Sequence, residues 1–223
     1  MDAAVLFDFG GTLDADGVAW KERFHRLYRD EGVAIARERF DPLFYAADDA
    51  LVGAIPETLS LEGTVERLVA GLTEQIRPGD RALAARVGER FLAATLAQIE
   101  ANRPLLARLG QRYRLGIVSN FYGNLATVCD NLEVRPFFSV IVDSTQVGVS
   151  KPDPRIFQRA VAELDVALGD AVFVGDSFVR DMAGARAVGM RHVWLAGANL
   201  AGTRPCCPGD SVMGSLADLE ALL

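Results

Sequence analysis

Four short clusters in this 223-residue chain carry residue types suited to chemistry at an anion. The first is Asp8-Phe9-Gly10-Gly11-Thr12-Leu13-Asp14, the second Ser119-Asn120, the third Lys151 ahead of Pro152-Asp153-Pro154, and the fourth Gly175-Asp176-Ser177-Phe178-Val179-Arg180-Asp181. Together they offer carboxylates for a hard cation, a hydroxyl and an amide for oxygen atoms, and an ammonium for negative charge. That set fits phosphoryl transfer. Mg²⁺ prefers hard oxygen ligands and takes only one or two carboxylates, leaving room for substrate phosphate. Asp8 and Asp176 are the candidate pair, Lys151 the group that neutralises charge in the transition state, and Ser119 a holder of phosphate oxygens. A carboxylate nucleophile such as Asp8 would form an aspartyl-phosphate.

The elements that must position these clusters follow from the apolar pattern. Ala3 to Phe7 is a short apolar run stopped by Asp8 and a glycine pair, as expected of a strand buried on both faces. Tyr113 to Val118, Phe138 to Val142, Ala171 to Val174 and His192 to Leu195 read as further strands. Helical stretches separate them, including Asp153 to Leu164, Asp181 to Val188 and a final Leu216 to Leu222. Strand–helix alternation predicts a parallel, Rossmann-like α/β sheet with right-handed crossovers. From Gly17 to Leu109 strand patterning disappears and apolar residues recur at helical spacing, as in Trp20, Phe24, Leu27 and Tyr28. Breakers at Asp41-Pro42, Ile55-Pro56 and Arg77-Pro78-Gly79 divide this region into about four helices. The expected organisation is an α/β core from residues 1–16 and 103–223, interrupted by an α-helical cap at 17–102. Each chemical cluster then falls at the carboxyl end of a strand, where open parallel sheets form their binding crevice.

Bulk properties narrow the partners. Half the residues are apolar and 24% charged, the balance of a chain with a core. A net charge of −7 argues against nucleic acid or an anionic membrane as partner, yet a cation can reverse the field inside one pocket. Three cysteines, Cys129, Cys206 and Cys207, are no disulfide framework, and the start of the chain lacks the basic region of a signal peptide. The expectation is a cytoplasmic protein with reduced thiols.

With these motifs in hand, the chain resembles the haloacid dehalogenase-like superfamily: Asp8 with Thr12, then Ser119, Lys151, and Gly175-Asp176 with Asp181 match its four motifs in order over nearly the whole length. The insert stands in the place of that family's C1-type cap. The resemblance implies Mg²⁺ as cofactor and a small phosphorylated metabolite as substrate. It assigns Asp8 as nucleophile, Lys151 as charge stabiliser, and Ser119 and Asn120, with Gly11 and Thr12, as substrate binders. Asp8, the Gly10 backbone carbonyl and Asp176 would hold the metal, with Asp181 orienting its water. One departure stands out. Phosphatases of the family carry a second Asp two residues after the nucleophile to protonate the leaving group, and here that residue is Gly10. Removing a general acid costs about 10²–10⁴-fold in rate. Three readings fit: another acid substitutes, Asp14 and Asp16 being nearest; the substrate has a good leaving group or is a phosphonate, for which Lys21 is the one lysine in the insert; or the protein is a vestigial phosphate binder. The dehalogenase branch also lacks the second Asp but uses no metal. Asp176 and Asp181 would there be costly companions for Asp8.

Overall fold

The computed structural model describes residues 3–197, 204 and 210–223. Six strands form one parallel sheet among the described residues: β1 (Ala4–Phe7), β2 (Arg114–Ser119), β3 (Val140–Asp143), β4 (Ala171–Gly175), β5 (Arg191–Leu195) and β6 (Ser211–Met213). Their order is β3-β2-β1-β4-β5-β6. The chain builds outward from β1 through β2 to β3, then returns to lay β4 on the other side of β1. The switch point therefore lies between β1 and its two neighbours, where a doubly wound sheet binds ligands. Register there is tight, with Phe7 opposite Ile117 on one side and Val174 on the other.

Why these runs are strands is visible in their burial. All four residues of β1 and all five of β4 are buried, which only a central parallel strand requires. Alternate residues feed two cores. Val5, Phe7, Ile117, Val172 and Val174 face one, while Leu6, Val118 and Phe173 join Ile156, Phe157, Ala160, Val161 and Leu164 in the other. Those last five lie on one stripe of α7 (Pro154–Leu164), whose N-cap Asp153 accepts from the Arg155 amide. Phe157 meets Phe173 edge-on at 5.0 Å between centroids. Its replacement by Ala would cost about 3–5 kcal/mol. Gly116 in β2 is there for contact: a Cβ would sit 2.7 Å from Leu6.

Four helices lie between β1 and β2: α1 (Trp20–Asp30), α2 (Arg37–Asp49), α3 (Leu61–Ile76) and α4 (Arg81–Gly110). Ser60 and Asp80 cap α3 and α4 by accepting from Gly63 and Leu83 amides. The Asp41-Pro42 breaker divides nothing, because Pro42 lies inside α2. Its neighbours Phe40 and Phe44 are buried, and that packing outweighs the one missing backbone donor. Helix α4 runs unbroken through residues 102 and 103, so insert and core share one helix. Trp20, Phe24 and Tyr28 sit at successive turns of α1 and are buried; Phe24 stacks on Phe91 of α4 with centroids 4.2 Å apart.

The remaining elements are short: α5 (Leu125–Asn131), α6 (Ser144–Val147) and α8 (Ala183–Ala187). The C-terminal segment forms a 3₁₀ turn over Leu216–Ala221 where an α-helix was expected, and β6 was not foreseen from so short a run. Cys129 is buried, with its thiol pushed up to about 12 by that burial. Cys206 and Cys207 lie outside the described residues. No helix among the described residues is long and apolar enough to cross a membrane.

Candidate active site

Asp8 leaves β1 at the switch point, its amide bonded to the Val174 carbonyl at 2.9 Å. Its side chain is buried. The Ser119 hydroxyl, at the end of β2, donates to Asp8 Oδ1 at 2.7 Å, and Lys151 Nζ lies 2.7 Å from the same oxygen. Oδ2 receives no hydrogen bond from the described residues. Lys151 Nζ also lies 2.7 Å from Asp181 Oδ1, and its side chain is 2% exposed. The ammonium thus bridges two carboxylates out of water. Burial alone would lower its pKa, but the charges of Asp181 and Asp8 carry it above the usual lysine value.

Asp176, at the end of β4, completes the group. Carboxylate oxygens of Asp8, Asp176 and Asp181 all lie within 4.8 Å of one another. Burial, and then the charges of Asp8 and Asp181, push the Asp176 carboxyl well above the ordinary range. Burial also raises Asp181, to about 6, against the pull of Lys151. Three carboxylates against one ammonium leave an excess of two formal negative charges. A divalent cation matches that excess, and oxygen donors are the ligands Mg²⁺ takes. The residues present therefore fit the metal that the family implies.

Two glycines make this crowding possible. Gly11 has φ 93°, and a Cβ there would lie 2.5 Å from Asp176 Oδ2. A Cβ on Gly175 would lie 2.4 Å from Asp181 Oδ2. Around them, small contacts fix the acids: Thr12 Oγ1 donates to Asp176 Oδ1 at 3.2 Å, and the Ser177 amide to Asp181 Oδ2 at 2.9 Å. Trp194 Nε1 donates to the Asp176 carbonyl at 2.9 Å.

The structure gives several sequence-selected residues particular partners. Asn120 donates to the Lys151 carbonyl at 3.0 Å and accepts from the Lys151 amide at 2.7 Å, so its side chain clamps the lysine segment. The Gly11 amide donates to Asp14 at 2.7 Å. Asp14 and Asp16, the acids nearest in sequence, do not face the pocket. Asp14 is fully buried, accepting from Trp20 Nε1 at 2.6 Å and Arg23 Nη1 at 2.7 Å. Asp16 accepts from the Leu216 amide at 2.5 Å. Arg23 of α1 reaches inward to Asp14, Thr95 and the Phe91 carbonyl.

A cavity of about 430 Å³ opens over Asp8, Gly10, Ser119, Lys151 and Asp176. Its far wall comes from the insert: Trp20, Lys21, Phe44, Tyr45 and Asp48. Phe121 and Tyr122 line it from the loop after β2, and Arg180 from the loop after β4. Sequence reasoning passed over Asp48 and Tyr122, which carry no motif and converge only in three dimensions. It also missed Asp143, at the end of β3. Its carboxylate gathers the amides of Gly123, Leu125 and Thr145 at 2.9, 3.1 and 2.9 Å and so shapes the Ser119 loop. An Asp ending a strand was the available clue.

A sheet of this order, with a buried carboxylate after its first strand bridged by lysine to a second acidic loop, defines a doubly wound α/β protein with a polar site at its switch point. The model of the haloacid dehalogenase-like hydrolase family matches residues 3–189, and this chain belongs to that family. The chain is 36% identical over 108 residues to mouse haloacid dehalogenase-like hydrolase domain-containing protein 3, covering 48% of this chain and 43% of that protein. It is 37% identical over 106 residues to glyceraldehyde 3-phosphate phosphatase of Pyrococcus abyssi, covering 46% and 44%. These matches span less than half of either relative. The 2-haloacid dehalogenase of Pseudomonas syringae pv. Tomato shares the fold, with a TM-score of 0.55 at 21% identity, over 100% of this chain and 98% of that one.

Proposed function

We propose that this chain is a Mg²⁺-dependent phosphatase that hydrolyses a small phosphorylated metabolite through a phosphorylated Asp8. The observation that carries the reading is the Lys151 ammonium held 2.7 Å from both Asp8 and Asp181, with Asp176 in the same acidic cluster. Displacing halide from carbon gives no reason to concentrate three buried carboxylates. Phosphoryl transfer does, since its substrate arrives with a cation. The phosphatase named among the relatives supports the same choice.

In this reading Asp8 attacks phosphorus with the oxygen that Ser119 and Lys151 leave unbonded. Those two donors fix the carboxylate plane before substrate arrives, so little reorganisation remains for the reacting state. Asp8, the Gly10 carbonyl and Asp176 would hold the metal, with Asp181 beside them. When bound, the cation supplies the positive charge that lets a carboxylate approach a phosphate. As charge shifts to the leaving group, Lys151 stays protonated and stabilises the transferring phosphoryl oxygens. Residues 17–102 act as a cap whose pocket wall excludes water and reads the substrate. We place the enzyme in the cytoplasm, with metabolites of the kind named for its relatives as first candidates.

The phosphonate reading is weaker. Lys21 does line the cavity, but its Nζ lies 2.6 Å from Asp41. Burial would lower its pKa, yet Asp41 and Tyr45 raise it overall, whereas Schiff-base formation needs a neutral amine.

The test is phosphate release from a panel including glyceraldehyde 3-phosphate, phosphoserine, acyl phosphates and phosphonates, with Mg²⁺ and with chelator. Turnover that requires Mg²⁺ and disappears in Asp8→Asn supports the reading. Undiminished release by Asp8→Asn, or a fluoroberyllate adduct on another residue, overturns it. A wild type inert on every compound leaves the vestigial binder.

A further inference from the structure

Gly10 leaves the catalytic loop without a side-chain acid, and Asp14 and Asp16 both point elsewhere. Among carboxylates on the cavity wall, Asp8 and Asp176 belong to the acidic cluster. Asp48, near the end of α2, stands apart from it on the insert side. We infer that Asp48, held by the Tyr122 hydroxyl on the cavity wall, is the general acid and base that Gly10 cannot supply. This inference rests on the phosphatase reading above.

The placement suits the task. Asp48 Oδ1 accepts from the Tyr122 hydroxyl, which joins the insert to the loop that follows Ser119. Tyr122 is itself buried, and burial followed by the Asp48 charge raises its own pKa well above 10, so it remains a donor. Asp48 keeps partial solvent contact and lines the same cavity as the nucleophile, on the wall supplied by the insert. The groups around it are Asp49 on its own helix, Tyr122, Arg180 and, on the same wall, Lys21 and Tyr45. Burial is the largest influence on it and lifts its carboxyl above the usual value, aided by Asp49 and opposed by Tyr122 and Arg180. A carboxyl shifted upward protonates an alkoxide more readily near neutral pH.

Asp8 forms a bond to phosphorus as the ester P–O bond breaks, and the Asp48 carboxyl gives its proton to the departing oxygen. Water then attacks phosphorus while the Asp48 carboxylate takes its proton, and the Asp8–phosphorus bond breaks to release inorganic phosphate. Each residue ends as it began.

Two substrate classes separate this role from others: an alkyl phosphate, whose leaving group needs a proton, and an acyl phosphate, whose leaving group does not. In Asp48→Asn, kcat/KM should fall about 10²–10⁴-fold for the alkyl ester and less than about tenfold for the acyl phosphate. With the acyl phosphate, phosphorylated Asp8 should accumulate, because the base for its hydrolysis is gone. Tyr122→Phe removes a donor that favours the ionised carboxyl. The basic limb of the alkyl-ester pH profile should move to higher pH, while Asp48→Asn abolishes it. Equal losses for both classes, or a raised KM with kcat unchanged, would make Asp48 a binding residue and overturn the assignment. So would an unaltered Asp48→Asn enzyme. A folded Asp48→Asn protein is verified by its accumulating phosphoenzyme and by an unchanged unfolding midpoint. If wild type hydrolyses nothing, the phosphatase reading itself fails and takes this inference with it.

Discussion

The indole Nε1 of Trp20 sits 3.3 Å from the point where a Cβ on Gly10 would lie. The same nitrogen donates to Asp14, so the indole that fills the space beside Gly10 is anchored from behind. The missing acid and the buried Trp20–Asp14–Arg23 network are thus two sides of one arrangement.

Restoring an aspartate at position 10 should therefore disturb this site. The backbone at Gly10 (φ −73°, ψ 114°) accepts any L residue, so the cost is steric. Gly10→Asp should lose about 1–3 kcal/mol through overpacking, read by urea unfolding. Gly10→Ala should stay within about 1 kcal/mol of wild type, since one methyl group needs only a small shift of the indole and restricts the unfolded chain. A Gly10→Asp protein as stable as wild type would show that Trp20 moves freely.

Metal binding should be visible as stability. With its three carboxyls ionised the acidic cluster carries two formal negative charges beyond Lys151, so Mg²⁺ should raise the unfolding midpoint. At a hundredfold excess over Kd the gain is about 2.7 kcal/mol. Asp176→Asn should stabilise the metal-free protein, because burial first and then the charges of Asp8 and Asp181 oppose ionisation of this carboxyl, and should remove most of the Mg²⁺ effect. Thermal unfolding with Mg²⁺ and with chelator checks both. A Mg²⁺ response that survives in Asp176→Asn would place the cation elsewhere.

Asp14 should prove structural. Its carboxylate is fully buried and meets Arg23, Trp20 and the Gly11 amide. Breaking a buried pair by removing one partner costs about 3–5 kcal/mol. Asp14→Ala should lose stability on that scale in denaturant titration. Where the variant remains folded, its ratio of alkyl to acyl phosphate turnover should match wild type, as expected of a residue that carries no proton for the leaving group.

Alkaline pH should loosen the insert. Burial pushes the Tyr28 phenol up to about 12, with Thr73 opposing, against an ordinary value of 10.0. A raised folded-state pKa means stability that is complete below pH 10.0 and is lost as pH rises through about 12. The loss amounts to about 3 kcal/mol. Phenolate absorbance and helix content measured together from neutral to alkaline pH should change in step. In Tyr28→Phe the alkaline loss of helix should be smaller. An unchanged alkaline transition would assign it to other residues.

Local sequence carried much of this. Apolar runs ended by Asp or Ser placed β1, β2 and β4, because a central parallel strand must be apolar on both faces and a strand end must turn. The i, i+4, i+8 spacing of Trp20, Phe24 and Tyr28 placed α1. Three of the four polar clusters told of a site because each sat at the carboxyl end of a strand, whereas Lys151 lies beyond α6, eight residues after β3 ends. Pro42 misled, since buried neighbours on α2 outweigh one lost backbone donor. The short β6 was invisible because three residues carry no periodicity.

Tertiary structure decided what each polar group faces. Asp8 and Asp14 stand six residues apart and are the same amino acid, yet one opens on the cavity and the other is locked between Trp20 and Arg23. Asn120 and Gly11 turn to Lys151 and Asp14. Asp48 and Tyr122 are 74 positions apart and meet only because the insert folds back over the sheet. Strand and helix identity follow from periodicity, which is local. A carboxylate's partners depend on segments distant in the chain, and no spacing rule encodes them.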